Sequence, residues 1–142
     1  VEAGAFPASD EDNMPVNPDH FVYHAPNEET APRYAAIRAA ENACHDLVGS
    51  LTMAEYTATA ADYTRVNSAL RVFAETIDSS APDSADKTAS IRCVRLARNA
   101  LNEHIAASAG GFPTRINCLV EAARQLTLAR WQANSAVACG GK

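Results

Sequence analysis

Apolar side chains recur at three- and four-residue steps along four stretches of this chain, and none of the four shows the strict alternation of a half-buried strand. That period belongs to helices. In the first stretch Tyr34, Ile37, Cys44, Val48 and Leu51 share a face interrupted only at Glu41. Thr30 suits a cap, Pro32 suits the first helical turn, and Gly49-Ser50 marks the end, which predicts a helix over 31–49. The second stretch has the cleanest pattern, with Tyr56, Ala60, Tyr63, Val66, Leu70, Phe73 and Ile77 in step and no miss. Thr52 and Glu55, three apart, read as a capping box, so the expected helix runs over 53–78 and spans about 37 Å at 1.5 Å per residue.

Pro82 breaks that helix, and Asp83 or Ser84 then caps a third over 83–107, with Asp86 in its first turn and Ile91, Val94, Ala97, Leu101 and Ile105 as its stripe. Gly110-Gly111-Phe112-Pro113 is a stop and restart. A fourth helix follows over 113–138, with Ile116, Leu119, Ala123, Leu126, Ala133 and Val137 on its face and Gly140-Gly141 as its C-cap. Short connections make successive helices antiparallel neighbours. The expected fold is therefore all-α, a four-helix bundle of antiparallel hairpins occupying 20–142, behind an extended acidic tail over 1–19. A faint internal echo accompanies it: Tyr34, Ile37, Ala40, Cys44 and Val48 match Tyr63, Val66, Ala69, Phe73 and Ile77, 29 residues on.

Charge sharpens the division between tail and body. The net charge of −5 conceals a first 31 residues with seven acids and no Lys or Arg, followed by a body with ten acids and twelve bases, ten of them Arg. Arginine is a planar fork suited to phosphate or carboxylate, and it is also a good helix former on a solvated face. The balance is far from the basic stripe of a duplex DNA binder. No run of 18 apolar residues spans a membrane, and no charged n-region with an apolar h-region opens the sequence. A start at Val1 fits either removal of an initiator or a cut upstream.

Cys44, Cys93, Cys118 and Cys139 stand 49, 25 and 21 residues apart, without the close pairs of a zinc site. They fit free thiols in a reducing compartment, or two disulfides in a secreted bundle. His20 and His24 are loop residues without an acid at ligand spacing, His45 and His104 read as helix-boundary residues, and Trp131 as core. The sequence holds no nucleophile elbow, P-loop, GxGxxG or HExxH, and no convincing acid/base pair. Nothing here calls for an enzyme, a cofactor or a metal.

The densest recognition chemistry lies between His20 and Arg38. Phe21, Tyr23 and His24 precede Pro26, and Arg33, Tyr34 and Arg38 occupy the first turns of the next helix. Such a loop can grip a flat anionic ligand, or fold back as a hydrophobic staple over the helix start.

The run from Phe21 to Pro26 followed by the run from Arg33 to Arg38 resembles the opening of a family of small phage helical-hairpin proteins. The stretch from Phe73 to Arg98, with a turn at Pro82-Asp83-Ser84, is similar to that family's second signature, and Asn99 to Ala106 fills the place of its return helix. The family includes the anti-CBASS and anti-Thoeris sponge proteins. These hold nucleotide messengers of bacterial antiphage immunity (cyclic di- and trinucleotides, cyclic ADP-ribose isomers) away from their effectors without cutting them, often at interfaces of a helical oligomer. The resemblance implies Tyr23 and Arg38 as ligand contacts, supported by Phe21, His24, Pro26 and Arg33, with Ser84 and Asn102 carried over from the second signature. It also implies a homo-oligomer in the cytoplasm of an infected bacterium. The chain departs from the pattern by about 29 residues inserted between the signatures and by a whole appended helix, as if a helix had been duplicated and an interface between chains brought into one chain. The alternative class is a helical-bundle module that binds another protein and no small molecule.

Overall fold

The structure, a computed structural model, describes residues 26–53, 56–111 and 116–140. Four helices make up the described elements: α1 (Ala31–Leu51), α2 (Ala60–Ser80), α3 (Ala85–Ala109) and α4 (Ile116–Gly140). They pack as a bundle in which α1 touches α2 and α4, α3 touches α2 and α4, and the α3–α4 seam is the most extensive. Asp78 meets Lys87 while Asn67 meets Asn102, so α2 and α3 run in opposite senses. Asp86 meets Ser135 and Glu103 meets Cys118, which sets α4 against α3 in the same way. The expected tail over 1–19 lies outside the described residues.

Most residues of the stripes read from the sequence form the core, while Ala60 is exposed and Tyr34, Val48, Tyr56, Tyr63, Ile91 and Ala123 are half-buried. Ile37, Cys44 and Leu51 of α1 meet Val66, Leu70, Phe73 and Ile77 of α2, Val94, Ala97, Leu101 and Ile105 of α3, and Leu119, Leu126, Ala133 and Val137 of α4, all buried. Ala97 of α3 and Ala122, Ala129 and Ala133 of α4 are fully buried. Side chains that short let the helix axes approach closely. Across the seam, Ser90 Oγ donates to the Ala129 carbonyl at 2.6 Å and the Cys93 thiol faces Gln132 Oε1 at 3.4 Å.

The third and fourth helices begin two and three residues later than expected, and the larger differences are in how the first two are capped. Thr30 does not cap α1 with its side chain. Asn27 does that work one turn earlier: its Oδ1 accepts from the Glu29 and Thr30 N–H groups at 2.9 Å, an Asx turn that feeds the chain into the helix. The second helix begins at Ala60 instead of 53, because the capping box is closed by Thr59 and Asp62. Asp62 Oδ2 accepts from the Thr59 N–H at 2.8 Å, while Thr52 sits at the exposed C-cap of α1. Tyr56 consequently lies outside the helix and stacks on His104 of α3, with ring centroids 6.0 Å apart. His104 is thus a fully buried core residue and not a boundary one.

With those starts corrected, the internal echo becomes a register. Both α1 and α2 are 21 residues long, and each begins directly after a threonine, Thr30 or Thr59. Tyr34 and Tyr63 then occupy equivalent positions in their helices, as do the buried pairs Ile37/Val66 and Cys44/Phe73.

The α2–α3 turn is tied by a lysine. Ser84 caps α3 by accepting from the Lys87 N–H at 3.1 Å. The largely buried Lys87 ammonium donates to the Asp78 carbonyl at 2.9 Å and to Asp83 Oδ1 at 3.0 Å, and pairs with Asp78 Oδ1 at 3.1 Å. One cation therefore satisfies an orphan carbonyl at the end of α2 and holds the first turn of α3 beside it. The Asp83 hydrogen bond leads in keeping its pKa above the ordinary lysine value, against the opposing effect of burial. At the other end of α3, Gly111 adopts φ +79°, the left-handed conformation that closes a helix and that glycine adopts without strain.

Candidate functional site

Between α2 and α3 lies a groove of about 650 Å³. Its floor is apolar, formed by Leu70, Ala74, Ile91 and Val94. Its rim is polar. Tyr63, Asn67 and Arg71 line one side at four-residue steps along α2, while Arg95 and Arg98, three apart, line the other along α3. These spacings stack side chains on one face of each helix. Such a volume is in the range of small-molecule sites.

The rim is strongly cationic. Arg71 reaches Glu75 on its own helix at 3.4 Å, an exposed pair of little strength. Arg95 and Arg98 are exposed and make no ion pair among the described residues. Asn102 Nδ2 donates to Asn67 Oδ1 at 3.2 Å, which occupies the acceptor end of the Asn67 amide and leaves its amino end as a donor. Arginine and a carboxamide held in this way can bind phosphate oxygens through directed hydrogen bonds.

The expected site residues are spread more widely than the groove. Phe21, Tyr23 and His24 lie outside the described residues. Pro26 is exposed just before α1. Arg33 pairs with Glu29 at 3.4 Å, and Arg38 is exposed in the second turn of α1. Ser84 is spent on the α3 cap. None of them lines the groove; Asn102 alone is linked to it, through its bond to the lining residue Asn67. In the 29-residue register, Asn67 is the counterpart of Arg38. The residues missed from sequence are Tyr63, which reads as part of the apolar stripe of α2, and Asn67, Arg71, Arg95 and Arg98, each of which reads locally as a polar position on a solvated helix face.

A second recess of about 390 Å³ lies between the end of α1 and the start of α2, near Leu47, Tyr56, Asp62 and Arg65. Its charges are already engaged, since Arg65 meets Asp62 Oδ1 at 2.5 Å and Asp62 also serves the α2 cap. The Thr59 N–H bond leads in holding the Asp62 carboxyl below its ordinary pKa, and Arg65 adds to it against burial.

The α1–α4 interface contains a buried charge cluster instead of a cavity. Glu41, the polar break in the α1 stripe, meets Arg130 Nε at 2.5 Å and His45 Nε2 at 2.9 Å. Burial pushes the Glu41 carboxyl up, but the His45 hydrogen bond and the Arg130 charge outweigh it and leave the pKa below the ordinary 4.5. All four cysteines are free, three of them buried and Cys139 exposed. Among the described residues no group of three His, Cys, Asp or Glu is placed to hold a metal ion, and no helix is long and apolar enough to cross a membrane.

Comparison with protein-family models, with curated proteins and with solved structures returns no match to this chain.

Proposed function

We propose that this protein is a sponge: it binds a nucleotide second messenger of antiphage immunity, a cyclic di- or trinucleotide or a cyclic ADP-ribose isomer, and holds it uncut. In this reading it is a phage product acting as a homo-oligomer in the cytoplasm of an infected bacterium, in keeping with the resemblance of 21–38 and 73–106 to that family. The observation that carries the reading is the α2–α3 groove, where an apolar floor, a tyrosine and three arginines stand together. A nucleotide offers the matching surfaces, a flat base for the floor and tyrosine and phosphates for the guanidinium groups. Tyr23 and Arg38 remain the expected contacts from the resemblance, and the groove adds a second group of candidates.

The test is a thermal-shift panel of cyclic di- and trinucleotides and cyclic ADP-ribose isomers. A ligand at about 100 times its dissociation constant stabilises the fold by about 2.7 kcal/mol, a readily visible shift. A hit whose nucleotide is recovered intact after denaturation supports the sponge. A flat panel overturns it and favours a protein-binding bundle, the second reading, which the exposed apolar Met53, Val72, Leu96 and Val120 support.

A further inference from the structure

We infer that the α2–α3 groove is an anion clamp for a ligand bearing two phosphoryl groups, gripped by Arg71 from one wall and by Arg95 and Arg98 from the other. The register of the two helices is fixed by the Asn67–Asn102 bond at one end and by the Asp78–Lys87 pair at the other. Four residues beyond Asn67, Arg71 corresponds to Arg98; seven residues before Asp78, it corresponds to Val94. Arg71 therefore stands level with the segment that carries Arg95 and Arg98, and like charges confront each other across the groove.

Guanidinium groups remain protonated at any physiological pH, so this arrangement repels itself until anions enter it. Against three cationic groups the rim supplies one exposed carboxylate, Glu75, outside the groove lining. A single phosphodiester carries one negative charge, whereas a pyrophosphate bridge or two phosphodiesters carry at least two and can be shared between the walls. The Asn67 amide, its oxygen taken by Asn102, adds another donor. The directed polar groups of this rim thus favour a ligand rich in acceptors, and they disfavour a cationic one such as a polyamine. Leu70, Ala74, Ile91 and Val94 beneath them suit the ring or sugar that joins the phosphates.

This inference rests on the sponge reading only for what the ligand carries besides its phosphates. Isothermal titration with inorganic pyrophosphate and with orthophosphate, at matched ionic strength, tests the clamp directly. The expected result is pyrophosphate binding at least about tenfold tighter than orthophosphate, reduced about tenfold or more in the Arg95→Gln/Arg98→Gln double variant and in Arg71→Gln. Arg98→Lys, which keeps the charge and loses the fork, falls between. Arg124→Gln, on α4 and paired with Glu121, leaves binding unchanged. Circular dichroism and melting curves establish that each variant folds, and Lys replaces Gln at any position where Gln does not. Equal affinity for the two anions, or pyrophosphate binding untouched by the groove substitutions, overturns the clamp. So does single-stranded RNA binding through these arginines with affinity that grows steadily with length. The two proposals fail separately. A flat nucleotide panel with arginine-dependent pyrophosphate binding removes the messenger and keeps the clamp. A bound messenger indifferent to Arg71, Arg95 and Arg98 keeps the sponge and removes the clamp.

Discussion

Replacing Arg130 by Met tests the physics of the α1–α4 interface. Methionine preserves much of the side-chain volume and removes the charge from beside Glu41, whose side chain is only 5% exposed. Removing one partner of a buried ion pair costs about 3–5 kcal/mol, because the remaining charge stays desolvated. The Arg130 side chain is itself 19% exposed, so water already screens part of the interaction and the lower end applies, about 3 kcal/mol. For a domain of this size that corresponds to a fall in Tm of about 10 °C.

The pH dependence identifies the cause. In the native protein the depressed Glu41 pKa contributes stability that is present above the unfolded value of 4.5 and lost as pH falls through the folded value. In the variant, burial is opposed by His45 alone and the folded pKa of Glu41 rises; once above the unfolded value, its cost at pH 7 disappears when the carboxyl is protonated. Urea denaturation followed by circular dichroism should therefore show the gap between the two proteins narrowing from pH 7 to pH 4. His45→Gln in both backgrounds separates the contribution of the His45–Glu41 contact. Adding Glu41→Gln to Arg130→Met should restore most of the loss at pH 7. A gap that does not change with pH, or a coupling energy below about 0.5 kcal/mol in the double-mutant cycle, would refute the reasoning.

Two glycines should respond to alanine with opposite signs. Gly49 lies within α1, and an added methyl there would meet nothing within 4 Å, so Gly49→Ala should stabilise by about 0.5–1 kcal/mol. Gly111 sits at φ +79°, and Gly111→Ala should cost about 1 kcal/mol on urea denaturation. Thiol labelling followed by intact mass should modify Cys139 in the native protein and all four cysteines only in denaturant. Cys44, whose thiol is pushed up to about 12 by burial and by the Glu41 charge, should be protected until the bundle opens, and native labelling there at the rate of Cys139 would contradict its placement.

Much of the bundle could be read from the spacing of apolar residues, because each core stripe is a local property of its own helix. Val66, Leu70, Phe73 and Ile77 were expected inside and are buried. The start of α2 was harder to place because Thr52/Glu55 and Thr59/Asp62 offer caps of the same chemistry, and the choice depends on where Tyr56 packs. Its neighbour there is His104, 48 residues along the chain and invisible to any local pattern. Glu41 likewise registers in the sequence only as a flaw in a stripe; its meaning comes from Arg130 on another helix. The groove was missed for the same reason. Arg71, Arg95 and Arg98 each read as a solvated helical arginine, and only the register of α2 against α3 brings them to one rim.

The extensive seam between α3 and α4 has a consequence for how the molecule opens. Native-state hydrogen exchange reports cooperative units whose opening free energies differ within one fold. With the most extensive contacts and a buried Ser90–Ala129 bond, α3 and α4 should be the last pair to expose their amides, and α1 and α2 should exchange through smaller openings. The groove would then have one wall on the slow-exchanging pair and the other on a faster helix. An anion that bridges its walls would raise amide protection along α2 far more than along α3, joining two cooperative units into one.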